Sequence, residues 1–322
     1  MIISVSRRTD IPAFYSDWFF NRLEEGFVYV KNPMNINQIR KISLKKEEVD
    51  CFVFWTKNAI PLTTEENLIK LKDYKYYFQY TISPYGKDVE PCVIDKKKII
   101  ENFIFLAKTI GKEKMVFRYD PIFLSEKYNL DYHFRAFERL CEKLGNYTEK
   151  CVISFVDLYK KTERNTKSLR IRVPKEDEKI EIVKKFVEIA NKYNMVIETC
   201  SENGDFSKYG VQKGKCIDDR LISKILGINV YDKKDKFQRE ECGCIKSYDI
   251  GEYNTCIHGC LYCYANFNKE KAIENYKLHN KNSKLLIGEV GANATINEAK
   301  KESILKKIKK VQDTNDKQLT LV

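Results

Sequence analysis

The most specific chemistry in the chain lies in nine residues near its end, Cys256-Ile257-His258-Gly259-Cys260-Leu261-Tyr262-Cys263-Tyr264, a C-x3-C-x2-C spacing. Three thiolates this close can each bind a different iron of one cubane, while the fourth iron has no ligand from the motif. A Cys2His2 zinc finger needs a distant His pair and a zinc ribbon needs two separated C-x2-C hooks; neither spacing occurs. Gly259 lets the loop fold tightly. Tyr262 sets an aromatic ring where a flat ligand packs, and His258 is a candidate hydrogen-bond partner for cluster or cofactor.

Eight further cysteines make eleven in all. The odd count, the length and a start (MIISVSRRTD) with no apolar leader point away from a disulfide framework and toward metal or catalysis in a reducing compartment. Cys51, Cys141 and Cys151 sit in apolar patterns and read as core residues; Cys92 lies in a loop with no evident role. Cys200, Cys216 and the pair Cys242-Gly243-Cys244 are different. Residues i and i+2 of an extended strand point the same way, and the charged surroundings QREECGCIK give this pair no core. These four are expected to form a second site, either an auxiliary 4Fe-4S cluster or a structural zinc.

Positioning such sites requires a scaffold, and a strand-then-helix rhythm supplies one. Apolar runs recur at 2–6, 51–55, 76–82, 115–119, 151–156 and 195–199. Helical patterns follow over Ser16–Glu25, from the N-cap Asp95 to Gly111, over Leu130–Leu144, and from Pro174 onward. The segment 27–49 breaks the rhythm as a hairpin or loop. Sequential β-then-α units predict an α/β fold with a parallel sheet, either open and doubly wound or a full or partial (β/α) TIM-type barrel. No Gly-rich dinucleotide fingerprint follows the first strand, which argues against a Rossmann domain. Polar residues crowd the strand ends, where (β/α) barrels build their sites. Lys57, Arg118, Asp120, Asp157, Tyr159 and Glu198 are the expected substrate rim, with Thr199–Glu202 beside them. The divisions expected are 1–205 for the barrel units, 206–282 for a cysteine-rich cluster-binding region closing the barrel, and 283–322 for a helical tail with an amphipathic helix near 296–312.

The cysteine motif, with Tyr253, His258-Gly259 and Tyr262-Cys263-Tyr264-Ala265 around it, resembles the radical S-adenosylmethionine (SAM) superfamily. The wording SRRTDIP, FWTKN, RYDP and CIHGCLYCYAN also makes the whole chain resemble an uncharacterised bacterial family with the motif at its C-terminal end. The superfamily resemblance implies that Cys256, Cys260 and Cys263 hold a 4Fe-4S cluster whose open iron chelates SAM. It implies reductive cleavage of SAM to a 5′-deoxyadenosyl radical acting on an unknown substrate, with electrons from a donor such as a ferredoxin or flavodoxin. The superfamily places its cysteine loop after the first barrel strand; here it comes late. The expectation is therefore a circularly permuted barrel, in which the strand before Cys256 lies beside Ile2–Ser6. Asp10 would then meet the amino group of SAM, and Arg7 or Arg8 its carboxylate.

Charge gives a broader reading. The 322 residues carry 58 Lys+Arg against 46 Asp+Glu, a net +12. Most of the excess is lysine scattered along helical faces, yet it leaves a nucleic acid or nucleotide substrate open beside a small polar one. The rival function is a non-catalytic iron–sulfur or zinc protein that binds nucleic acid. No run is long and apolar enough for a membrane span, so a cytoplasmic location is expected. His133 and His279 read as surface residues.

Overall fold

Strands apolar on both faces need cover on both sides, and two different parts of this chain provide it. The computed structural model describes residues 1–230 and 233–304. It begins with β1 (Ile2–Val5), α1 (Ile11–Phe14), α2 (Ser16–Glu25) and a hairpin of β2 (Phe27–Asn32) and β3 (Asn35–Ser43). There follow β4 (Cys51–Thr56), α3 (Glu65–Leu71), β5 (Tyr76–Thr81), α4 (Lys96–Ile110), β6 (Met115–Ile122), α5 (Leu130–Leu144) and β7 (Lys150–Phe155). The remainder is α6 (Lys160–Thr166), α7 (Glu176–Asn191), β8 (Val196–Thr199), β9 (Gln212–Lys213), α8 (Asp219–Leu226), β10 (Tyr248–Asp249), α9 (Lys269–Lys277) and β11 (Thr295–Glu298).

Local signals explain the helix ends. Asp95 accepts from the backbone N–H of Lys97 at the start of α4, and Gly26 closes α2 in the left-handed conformation. The helix expected to open at Pro174 starts two residues later, at Glu176.

Among the described residues eight strands pair in the order β10-β1-β4-β5-β6-β7-β8-β9, every pair parallel. The terminal members of that order, β10 and β9, do not pair with each other, so the sheet is open rather than a closed barrel. Tyr248 and Asp249 of β10 stand opposite Ile3 and Ser4 of β1. The strand that leads into the cysteine loop therefore lies beside the first strand of the chain.

Side chains alternate between the two faces. Phe52, Phe54, Phe78, Phe117 and Ile153 pack with Trp18, Phe19, Phe103, Phe137 and Phe186 of the helices. Ile2, Val53, Tyr77, Val116 and Val152 face the other way and meet Ile217, Leu221, Ile222 and Ile245. A closed barrel fills its interior with its own strands; here residues 216–230 and 242–245 cover that face instead.

Residues 283–304 run over α2 and the hairpin. Trp18 Nε1 donates to the Ser283 carbonyl at 2.9 Å, the Tyr29 N–H to Lys284 at 2.9 Å, and Lys31 Nζ to Ile287 at 2.7 Å. Where an amphipathic helix was expected to begin near 296, Thr295–Glu298 pairs in parallel with β3 as a strand; 305–312 lie outside the described residues. Leu286, Ile287 and Ala299 join the same apolar core as Ile3 and Val5, so this tail is no separate layer. No helix of the described residues is long and apolar enough to cross a membrane.

Candidate active site

The root of the cysteine loop is pinned by one carboxylate. Asp249 Oδ2 accepts from Ser4 Oγ at 2.8 Å and Arg7 N at 2.8 Å, and Oδ1 accepts from Ser6 Oγ at 2.6 Å and Gly251 N at 3.0 Å. Gly251 lies so close to Ser6 that a Cβ there would meet its Oγ at 2.1 Å. The far side of the loop is tied to 89–92: Leu261 N donates to the Val89 carbonyl at 3.0 Å and Cys92 N to the His258 carbonyl at 3.1 Å. Gly259 turns the loop at φ +68, a conformation that costs glycine little.

Within this frame the thiols are furnished with donors. The Cys256 sulfur accepts backbone N–H groups of His258 and Asp10, and the Cys263 sulfur those of Ala265 and Asn266. Burial pushes all three motif thiols up. They stay protonated unless a metal takes the place of the protons.

The loop of Arg7–Asp10 does lie against the motif. His258 Nε2 donates to Asp10 Oδ2 at 2.8 Å. The Asp10 carboxylate is also the N-cap of α1, accepting Ala13 N at 3.0 Å, and takes Thr56 Oγ1 at 2.8 Å and Lys57 N at 2.7 Å. Both oxygens are thus engaged with the protein, and Asp10 positions the loop rather than offering a free acceptor to an amino group. The donation to Asp10 leaves Nδ1 of His258 buried without a partner. Arg7 and Arg8 approach Asp249 at 3.8 and 4.0 Å, and Arg8 lies over the Tyr253 ring.

Glu90 is the residue sequence reasoning missed. It is 1% exposed and joins Lys57 Nζ at 2.9 Å, Lys96 Nζ at 2.5 Å, Ser83 Oγ at 2.5 Å and the Tyr262 hydroxyl. Burial alone would raise its carboxyl; Lys57 and Lys96 outweigh that and hold it below the ordinary carboxylate range. Glu90 sits in a loop with no motif around it, and only its two lysine partners, 33 residues before it and 6 after, reveal the network. Tyr262 leans its ring on Tyr85 and Phe123 at 5.8 and 6.3 Å.

Motif and strand ends open on one cavity of ≈ 360 Å³, and Arg7, Arg8, Asp10, Lys57, Arg118, Asp120, Asp157, Tyr159, His258 and Tyr262 all line it. Arg118 is buried, bonding Asp120 at 2.5 Å and Gln79 at 3.2 Å. Asp157 and Tyr159 are held by Arg239, a rim residue from the 233–245 segment that was not anticipated. Glu198 is a correction. The alternation of β8 turns it away from the cavity into a network with Lys150 at 3.1 Å and Arg220 at 3.3 Å. Glu202, four residues on, takes the rim position: it accepts from Phe155 N at 2.8 Å, and burial raises its carboxyl to about 7.

The other four cysteines meet in the wall of the same cavity. Cys200 Sγ and Cys216 Sγ are 3.0 Å apart, and Cys216 touches Cys244, which touches Cys242. Contact with Cys244 lowers the Cys242 thiol to about 6. Among the described residues no three His, Cys, Asp or Glu side chains are posed around a common point as a ready-made ion site.

Two histidine expectations are corrected. His133 is buried between Tyr119 Oη and the Phe123 carbonyl, both at 2.9 Å, and burial lowers it to about 4. His279 is half-buried and bonds the Leu286 carbonyl at 2.8 Å.

Fold and site together define an α/β protein with an open parallel sheet and a thiol-lined cavity at the C-terminal ends of its strands. Residues 2–265 match the model of Domain of unknown function (DUF1848), and the chain belongs to that family. No curated protein and no solved structure matches it.

Proposed function

We propose that the chain is a radical SAM enzyme in which Cys256, Cys260 and Cys263 hold a 4Fe-4S cluster. The observation that carries this reading is the opening of the three motif thiols, on the loop after the strand beside β1, into the same cavity as the strand-end polar groups. When bound and reduced, the cluster would supply the single electron that splits the sulfonium of SAM, drawn from an external donor of the ferredoxin or flavodoxin kind.

The residues present fit that group. Backbone N–H groups already point at Cys256 and Cys263, which suits sulfur carrying negative charge. Around Cys260, burial and the Glu90 carboxylate oppose the thiolate and the Lys57 charge works for it, so this sulfur gains its negative charge only with a metal bound. The partnerless His258 Nδ1 is a buried polar atom in the cavity wall, open to a hydrogen bond with a bound molecule. Arg7 and Arg8 share one carboxylate between them, leaving N–H groups for a carboxylate of SAM. Arg118, Asp120, Asp157, Tyr159 and Glu202 then face the substrate. A closed four-thiolate site would need a fourth cysteine beside the motif. The neighbour in the 89–92 segment, Cys92, is exposed and packs against Gly259, outside the cavity lining.

For the substrate, a second groove of ≈ 980 Å³ favours a nucleotide or nucleic acid. It shares Arg7, Arg8, Tyr159, Arg239 and Tyr264 with the cavity. Its lining holds five cationic side chains (Arg7, Arg8, Lys31, Arg40, Arg239) against two acids, Asp235 and Asp249. Basic groups interleaved with rings such as Tyr248 and Tyr253 are what single-stranded nucleic acid binds.

The test is anaerobic reconstitution with iron and sulfide, reduction by dithionite, addition of SAM, and chromatography. Wild-type protein is expected to release 5′-deoxyadenosine and Cys260→Ala none, while Cys92→Ala matches wild type. Reconstituted wild type that binds iron yet yields no 5′-deoxyadenosine overturns the proposal.

A further inference from the structure

We propose that Cys200, Cys216, Cys242 and Cys244 form a second, four-thiolate metal centre, independent of the C-x3-C-x2-C motif. The four come from three stretches of chain: the end of β8, the approach to α8, and the segment that covers the inner face of the sheet. Only folding brings them together. Their sulfurs touch in the series Cys200–Cys216–Cys244–Cys242, the first contact at 3.0 Å. Cys216, Cys242 and Cys244 are 4%, 8% and 2% exposed.

What distinguishes this group from core thiols is its polar lining. Arg118 Nη1 donates to Cys216 Sγ at 3.0 Å, the Ile217 N–H to Cys244 Sγ at 3.3 Å, and the Cys244 N–H to Cys242. Gln79 Nε2 and the Tyr77 hydroxyl hold the Cys216 carbonyl at 2.9 and 2.6 Å. A buried guanidinium and backbone donors aimed at sulfur match anionic thiolate, not neutral thiol. Two disulfides would also pair four cysteines, but the middle two, Cys216 and Cys244, touch each other as well as their outer neighbours.

A tetrahedral zinc with Zn–S of about 2.3 Å sets its sulfurs about 3.8 Å apart, so metal binding must widen the Cys200–Cys216 contact; a 4Fe-4S cluster would widen it further. Each thiol that becomes a ligand gives its proton to solvent. Zinc and a four-iron cluster share this donor set, and in either case four cysteines complete the coordination.

Metal content tests the proposal apart from any SAM chemistry. The full chain carrying Cys256→Ser, Cys260→Ser and Cys263→Ser together, purified without air, is expected to keep either about one zinc or about four iron with matching sulfide; which metal is found identifies the centre. Adding Cys242→Ser and Cys244→Ser to that protein is expected to abolish it. Because the added changes can unfold the chain, a second measurement uses the triple variant alone: after chelator treatment, cobalt(II) is expected to bind at about one per chain with intense thiolate-to-metal absorption. A triple variant with neither zinc nor iron, and no thiolate band with cobalt, overturns the centre and leaves the proposed enzyme reading standing.

Discussion

At the scale of single residues, the site is held by buried charges that the cysteine motif alone does not announce. Glu90 lies between Lys57 and Lys96 beside Tyr262, a carboxylate shared by two cations. Glu90→Ala leaves two cations facing each other in a largely desolvated setting, and a loss of about 3 kcal/mol is expected; urea unfolding of wild type and variant at neutral pH measures it, and a loss below about 1 kcal/mol would place the network in water. Glu202 predicts a pH effect. Its carboxyl is raised to about 7 by burial, against an ordinary value of 4.5. A raised folded-state value gives stability that is fully present below the unfolded value and lost as pH rises through the folded one. Glu202→Gln keeps the acceptor for Phe155 N but not the titration. The unfolding midpoint of wild type relative to this variant is therefore expected to be higher at pH 5 than at pH 8, and an equal difference at both pH values refutes the assignment. That the later cysteines gather was legible from their spacing and order, whereas the charged setting of Cys242 and Cys244 misled, since both are buried in the apolar cluster of Ile217, Leu221 and Ile245. Glu198 was misplaced because proximity to a strand end says nothing of which face a side chain takes, and Glu90 escaped because an ion pair across a fold leaves no local pattern.

Among the elements, β10 has the largest consequence for its length. Two residues long, it fixes the cysteine loop to β1 through Asp249 and through the close fit of Gly251 on Ser6. Gly251→Ala must push β10 off β1, at an expected cost of about 1–3 kcal/mol. Far-UV circular dichroism should be retained while the iron bound on reconstitution falls; unchanged iron uptake would show that the loop holds its shape without this contact. The strand-helix rhythm was readable from apolar runs and caps such as Asp95 and Gly26, since each depends on neighbours in sequence. The strand at Thr295–Glu298 was not, because all four of its residues are exposed and only pairing with β3 makes it a strand.

For the whole molecule, openness of the sheet was the undecided point, and it follows from which chain segment covers the inner face. Residues 216–230 and 242–245 do so with Ile217, Leu221, Ile222 and Ile245, a role hidden in sequence by the lysines and glutamates around them. The basic groove predicts behaviour of the entire surface. Single-stranded oligonucleotide is expected to bind with an affinity that falls steeply with salt, and Arg40→Ala with Lys31→Ala is expected to flatten that dependence; no retention at low salt removes nucleic acid as the substrate class. All seven cysteines from Cys200 onward border a single cavity. Dissolved oxygen or peroxide entering its mouth meets sulfur on two sides, with Cys200 and Cys216 already in contact. Protein handled on the open bench is therefore expected to lose free thiols there, and a preparation made in air that shows no activity reports on its handling, not on the proposed chemistry.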